Sequence, residues 1–71
     1  MEYLAKIHHA GSTIEAHVDV RMCHGDIEAE FCTNFAFVDD EVVTLDEVSE
    51  TLQMLLIDDA HDQWAMEVDE S

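Results

Sequence analysis

From Thr13 to Met22 every second residue is apolar: Ile14, Ala16, Val18, Val20 and Met22 fall on one side of an extended chain, and Thr13, Glu15, His17, Asp19 and Arg21 on the other. Side chains of a strand alternate between its two faces, so this run specifies a strand buried on one face and wet on the other. A strand of this kind needs neighbours, and the flanking sequence supplies them. Ahead of it Tyr3, Ala5 and Ile7 alternate with Leu4, Lys6 and His8, and Ala10-Gly11-Ser12 permits a tight reversal. Behind it Cys23-His24-Gly25-Asp26 supplies a second turn. Ile27, Ala29, Phe31, Thr33, Phe35 and Phe37 then keep period two opposite Glu28, Glu30, Cys32, Asn34, Ala36 and Val38. Ile27, Phe31, Phe35 and Val38 also fit helical spacing, which leaves 27–38 open between strand and helix, with three phenylalanines favouring the strand.

Asp39-Asp40-Glu41 reads as a loop and Val42-Val43 as a short extended link. Thr44-Leu45-Asp46-Glu47 has the form of a capping box, which predicts a helix from Leu45 to about Ile57. Its buried stripe would be Leu45, Val48, Leu52, Leu55 and Leu56, with Asp46, Glu47, Glu50 and Gln53 towards water. Trp64, Met66 and Val68 alternate with Ala65, Glu67 and Asp69 as a last strand. The expected order is β-β-β-α-β, an α+β fold in which an antiparallel sheet of three to four strands carries one helix packed on one face. The 71 residues make a single domain, 1–71, of a size that hides only about 60% of its unfolded surface.

Eighteen acidic residues stand against two basic ones, for a net charge of −16, yet 48% of the chain is hydrophobic, so a folded core is affordable. The imbalance is local. Residues 1–22 pair Glu2, Glu15 and Asp19 with Lys6 and Arg21, whereas the fifteen carboxylates from Cys23 onward meet no lysine or arginine. Solubility needs a net charge of only about 2–8 in a small domain, and the excess strains the fold by self-repulsion.

Direct binding to nucleic acid or anionic lipid, which requires Lys and Arg, is excluded by the same count. No run approaches the ~20 apolar residues of a membrane span. Met-Glu-Tyr-Leu-Ala-Lys has neither the basic start nor the apolar core of a signal peptide, so a cytoplasmic location, inside a host cell, is expected. Cys23 and Cys32 are then expected to be free thiols. An enzyme is not expected: the acids lie in exposed-looking runs with no glycine-rich loop to enclose a pair of distinct pKa. Neither a metal nor any other cofactor is expected. Cys23, His24, Cys32 and His61 lack a C-x-x-C or H-x-x-x-H half-site, and Asp58-Asp59-Ala60-His61-Asp62 lacks the alternating register of a calcium loop.

The expected partner is therefore a basic protein surface, and the largest of these hold DNA or RNA. Asp39, Asp40, Glu41, Glu47, Glu50, Asp58, Asp59, Asp62, Glu67 and Asp69 are the candidate partner-binding residues. Asp58 and Asp59 would lie at the C-terminal end of the helix, where the macrodipole disfavours them. Duplex DNA carries one charge per ~1.7 Å of axis, so acids from several adjacent elements are needed to imitate it. Trp64, Tyr3 or Met66, where exposed, would add short-range contacts.

In size, charge and domain form the whole chain resembles the small acidic phage inhibitors that act as DNA mimics, the anti-CRISPR proteins and restriction decoys. That resemblance implies a stoichiometric inhibitor, monomeric or homodimeric, that covers the DNA or PAM-binding site of a CRISPR effector subunit. The β-β-β-α-β order and the Thr-Leu-Asp-Glu helix start are similar to HicB-type antitoxins, which implies a basic RNA-cleaving toxin as the partner. A halophile's acidic surface is a third reading, which the balanced first twenty-two residues oppose.

Overall fold

The computed structural model describes residues 1–70. Five strands come first, β1 (Glu2–His9), β2 (Ser12–Cys23), β3 (Asp26–Phe31), β4 (Phe35–Val38) and β5 (Glu41–Thr44). A 3-10 turn (Leu45–Glu47) then leads into one long helix, α1 (Glu50–Glu70). The alternating segment is the spine: β2 pairs antiparallel with β1 on one side, and with β3 and β4, set end to end, on the other. β5 pairs antiparallel with β4 and closes the sheet at the far edge. Helix α1 packs on one face, so the α+β class and the single-helix layering are those expected from the sequence.

The element order differs from β-β-β-α-β in two places. Val42 and Val43 are more than a link, because they pair with Phe37 and Ala36 as β5 and bring the sheet to five strands. Trp64, Met66 and Val68 are helical rather than a last strand. Nothing between Glu50 and Glu70 can stop a helix: the chain has no proline, and its two glycines are elsewhere, at 11 and 25. The column Leu52, Leu56, Ala60, Trp64, spaced by four, continues the buried face and outweighs the short alternation at the end.

The helix also starts later than its capping-box signal. Thr44 makes no side-chain capping bond. Ser49 does that work, its Oγ accepting the Leu52 N–H at 3.3 Å. Gln53, expected towards water, turns inward and donates to the Leu45 and Val48 carbonyls at 2.9 Å each, tying the turn to the helix.

Segment 27–38 is extended, but interrupted. Val18 faces Phe31 while Ile14 faces Val38, so three more residues are used on the β3–β4 side than on β2. The extra residues are Cys32–Asn34, although the Cys32 N–H still reaches the His17 carbonyl at 2.9 Å. An odd insertion exchanges the two faces of everything beyond it. Ala29 and Phe31 sit on the core side with Val20 and Val18, but past the interruption the core side takes Ala36 and Val38. Phe35 and Phe37, expected to share a face with Phe31, point away from the helix.

The reason is close approach. Ala5 pairs with Ala16, and the β2–β4 register carries the row on to Ala36; these three and Ala60 are all at most 1% exposed, in one cluster with the fully buried Leu56, Val18 and Val20. A row of alanines lets the helix settle on the sheet, and a phenylalanine at 36 would hold it off. The three two-residue hairpin turns, Ala10-Gly11, His24-Gly25 and Asp39-Asp40, all have positive φ at both positions. That is the type I′ geometry matching the twist of antiparallel strands, and Asp39 and Asp40 adopt it without glycine.

Candidate acidic interface

Along one flank of α1, Asp59, Gln63 and Glu67 recur every four residues and face β1, the edge strand. Asp59 Oδ2 accepts the Lys6 backbone N–H at 2.9 Å and the Gln63 amide at 3.0 Å. Gln63 Nε2 also donates to the Leu4 carbonyl at 3.0 Å. Glu67 Oε2 accepts the Tyr3 hydroxyl at 2.5 Å. An edge strand leaves every second backbone pair without a ladder partner, and this column satisfies two such groups while blocking further strand pairing. The hydrogen bond to Glu67, then burial, then the carboxylate charge push the Tyr3 hydroxyl up to about 12. Asp59 and Glu67 therefore hold the helix to the sheet.

Asp58, Asp62 and Asp69 are exposed, and Asp58 and Asp62 line a cleft with Asp59, Leu55 and the β1 residues Lys6, Ile7 and His8. Met54 and Met66, each 65% exposed, and Leu55, 40% exposed, lie beside them. Leu55 thus leaves the buried stripe assigned to it from the sequence, because a helix centred on Leu56 turns it outward. Asp58 and Asp59 are also not at the helix end but near its middle. The last turn instead holds Glu67 and Asp69, with no basic residue to answer the macrodipole. From Glu50 to Asp69 six acids span about 28 Å, one per ~5 Å, against one per 3.4 Å for a single DNA strand.

The remaining candidates gather at the other end of the molecule. Asp39 Oδ1 accepts the Thr13 N–H at 3.0 Å, and that bond together with one from the Ser12 side chain holds the carboxyl below its usual range. Asp39 is a fastening of the β4–β5 turn to β2, whereas Asp40 beside it is exposed and carries no such bond. Glu41 and Glu47 share the rim of a cleft of about 380 Å³ with His9, floored by Ile14, Val38 and Leu52. Glu50 stands in the first turn of α1, where the dipole favours a carboxylate. The hairpin tip, this rim and the exposed acids of α1 make up the acidic ridge, interrupted between Glu50 and Asp58 where the helix carries no acid.

Arg21 is elsewhere, and Lys6 meets the helix acids across the cleft that it lines with Asp58, Asp59 and Asp62. The register places Lys6 beside Glu15 and Arg21 beside Glu28, on the sheet face away from the helix. Among the described residues the ion pairs are those of Arg21 with Glu30, the N-terminal ammonium with Asp19 at 3.1 Å, and His17 with Glu2 at 3.1 Å, and all lie on that face. None of these ion pairs involves an acid of α1. Of the residues expected to add short-range contacts, Trp64 packs against the core and stacks on His61 at 5.9 Å, and Tyr3 is engaged with Glu67, which leaves Met66. Met54 and Leu55 escaped the sequence reading. Extending the Leu52–Leu56–Ala60–Trp64 column would have found Met54, which lies almost opposite it on the helical wheel.

Cys23 and Cys32 are free thiols. Among the described residues no three His, Cys, Asp or Glu side chains are grouped to hold a metal ion, and no helix is long and apolar enough to cross a membrane. No known protein family, curated protein or solved structure matches this chain.

Proposed function

We propose that this protein is a non-enzymatic inhibitor that imitates the charge of DNA and covers the DNA or PAM-binding surface of a bacterial defence protein, a CRISPR effector subunit. The observation that supports this reading is the segregation of charge. Glu50, Asp58, Asp62 and Asp69 on α1, with Asp40, Glu41 and Glu47 at the hairpin end, are exposed acids, while Arg21 lies on the other face of the sheet and Lys6 meets Asp58 and Asp62 only across a cleft. Like charges at Asp58 and Asp62, four residues apart on a helix, oppose folding by a few tenths of a kcal/mol. An arrangement that works against its own stability fits a surface kept for a partner. A lysine- and arginine-lined channel is drawn to such a ridge by long-range steering, and Met54 and Met66 give it apolar contact at short range.

The antitoxin reading loses the β-β-β-α-β order on which it rested. The test of the decoy is competition. A surveillance complex binding a labelled PAM-containing duplex should release it on addition of this protein at one copy per site. The triple change Asp58→Asn, Asp62→Asn, Asp69→Asn should weaken release at least tenfold. A complex with the effector that survives both excess duplex and raised salt would overturn the proposal.

A further inference from the structure

β1, β3 and β5 each leave one edge without a neighbouring strand. The edge of β1 is occupied by Asp59 and Gln63, and β5 spans only Glu41–Thr44. The edge of β3 is open. Its two-residue turn, His24-Gly25, makes Cys23 and Asp26 the first hydrogen-bonded pair of the hairpin. Glu28 and Glu30 therefore bond inward to β2, a set that the Cys32 N–H continues, and the N–H and C=O groups of Ile27 and Ala29 point outward. No hydrogen bond among the described residues reaches that row. On the helix side of the strand, Ile27 and Ala29 border a hollow of about 310 Å³ with Ile57, Asp58 and His61. Ile27 is 42% exposed, and the Nε2 of His61 is buried without a hydrogen-bond partner. The other side of β3 carries Asp26, Glu28 and Glu30, of which Arg21 pairs with Glu30.

We propose that the edge of β3 takes up an extended segment of another protein in which lysine or arginine alternates with apolar residues, adding a further strand to the sheet. Backbone pairing asks only for an extended chain, and the side chains select which one. On the helix side the added residues lie over the hollow beside Ile27, where apolar ones remove surface from water. On the other side they stand across from Asp26, Glu28 and Glu30, where cross-strand pairs of opposite charge stabilise and like charges oppose pairing. The same rule argues against a second copy of this chain. The outward groups belong to Ile27 and Ala29, so any antiparallel pairing of two β3 strands sets acids against acids, in chains of net charge −16 each. The inference does not rest on the proposed target, since it concerns a strand edge and any protein that offers such a segment.

The probe is a short capped peptide of alternating lysine and valine, with amide exchange of the protein followed by nuclear magnetic resonance. Exchange at Ile27 and Ala29 should slow at least tenfold when the peptide binds. The same peptide N-methylated at its valines keeps its charge and side chains but loses the donors that face β3, and it should give no such protection. Ile27→Pro removes an outward N–H without touching the bonds to β2, and should weaken peptide binding at least tenfold with an unaltered circular dichroism spectrum. Equal protection by both peptides would assign the binding to charge alone and overturn the proposal. So would protection at Val42 and Thr44 in place of Ile27 and Ala29, or none at these two up to about 1 mM peptide.

Discussion

Asp58 and Asp59 are adjacent, identical in chemistry and opposite in consequence. Replacing either by alanine gives the same gain in helix propensity, so the difference between the variants isolates their surroundings. Asp58→Ala also removes the like charge four residues from Asp62, worth about 0.2–0.5 kcal/mol, and should leave the protein more stable. Asp59→Ala deletes the acceptor of the Lys6 N–H and one partner of Gln63. A hydrogen bond to a charged group is worth about 1.5–3 kcal/mol, and the partial exposure of this one places it at the low end. Asp59→Ala should therefore be less stable than Asp58→Ala by about 1.5 kcal/mol, a gap of about 6–12 °C in melting temperature for a domain this small. Against a total of about 4–11 kcal/mol for 71 residues the gap is easily measured by urea or thermal unfolding followed by circular dichroism. Asp59→Asn, which keeps an oxygen acceptor, should recover part of it. If Asp59→Ala is as stable as Asp58→Ala, the Asp59–Gln63–Glu67 column does not hold β1, and the division of the ridge into fastening and free acids fails.

Tyr3 is the sole tyrosine, so its ionisation can be read directly by ultraviolet absorbance: the midpoint should lie near 12 and fall towards 10 in Glu67→Gln. Because the folded value is raised, the contact stabilises fully below about pH 10 and is lost as pH rises through 12, which alkaline unfolding of the parent against Tyr3→Phe should reproduce. Asp39 has the opposite sign. Its lowered pKa stabilises above the unfolded value of about 3.9 and is lost as pH falls through the folded one, so Asp39→Asn should flatten the acid limb of a stability–pH curve below about pH 4. Asp40→Gly should raise stability by about 1 kcal/mol, since glycine takes the φ of 70° that an aspartate adopts at a cost, and a lower melting temperature would contradict the turn geometry.

The central hairpins were legible because each rests on local signals that agree: strict alternation in β2, and a turn containing Gly11 or Gly25 at each end. The C-terminal third was not, since Trp64, Met66 and Val68 satisfy period two over five residues while the longer column from Leu52 to Trp64 satisfies the helix. Local alternation is outweighed when a helical face finds a core to bury. Phe35 and Phe37 were misplaced for a related reason. Periodicity reports spacing along the chain, and nothing in Cys32-Thr33-Asn34 announces that three residues will be skipped. At the acidic surface, composition located the charge but could not separate carboxylates that touch a backbone N–H from those that touch only water. Asp39 and Asp59 fell in one group with Asp40 and Asp58 because the separation depends on which strand lies alongside.

The skipped residues Cys32–Asn34 uncouple the facing of β4 from the alternation of β3. Ala36 and Val38 look inward because of their register opposite β2, where Ile14 faces Val38, and the three residues between Phe31 and Phe35 absorb the mismatch in phase. Two residues there would bring the alternation from Phe31 into phase with Ala36 and Val38. A single-residue deletion in this segment should therefore leave the same side chains against the helix and be tolerated at least as well as a double one.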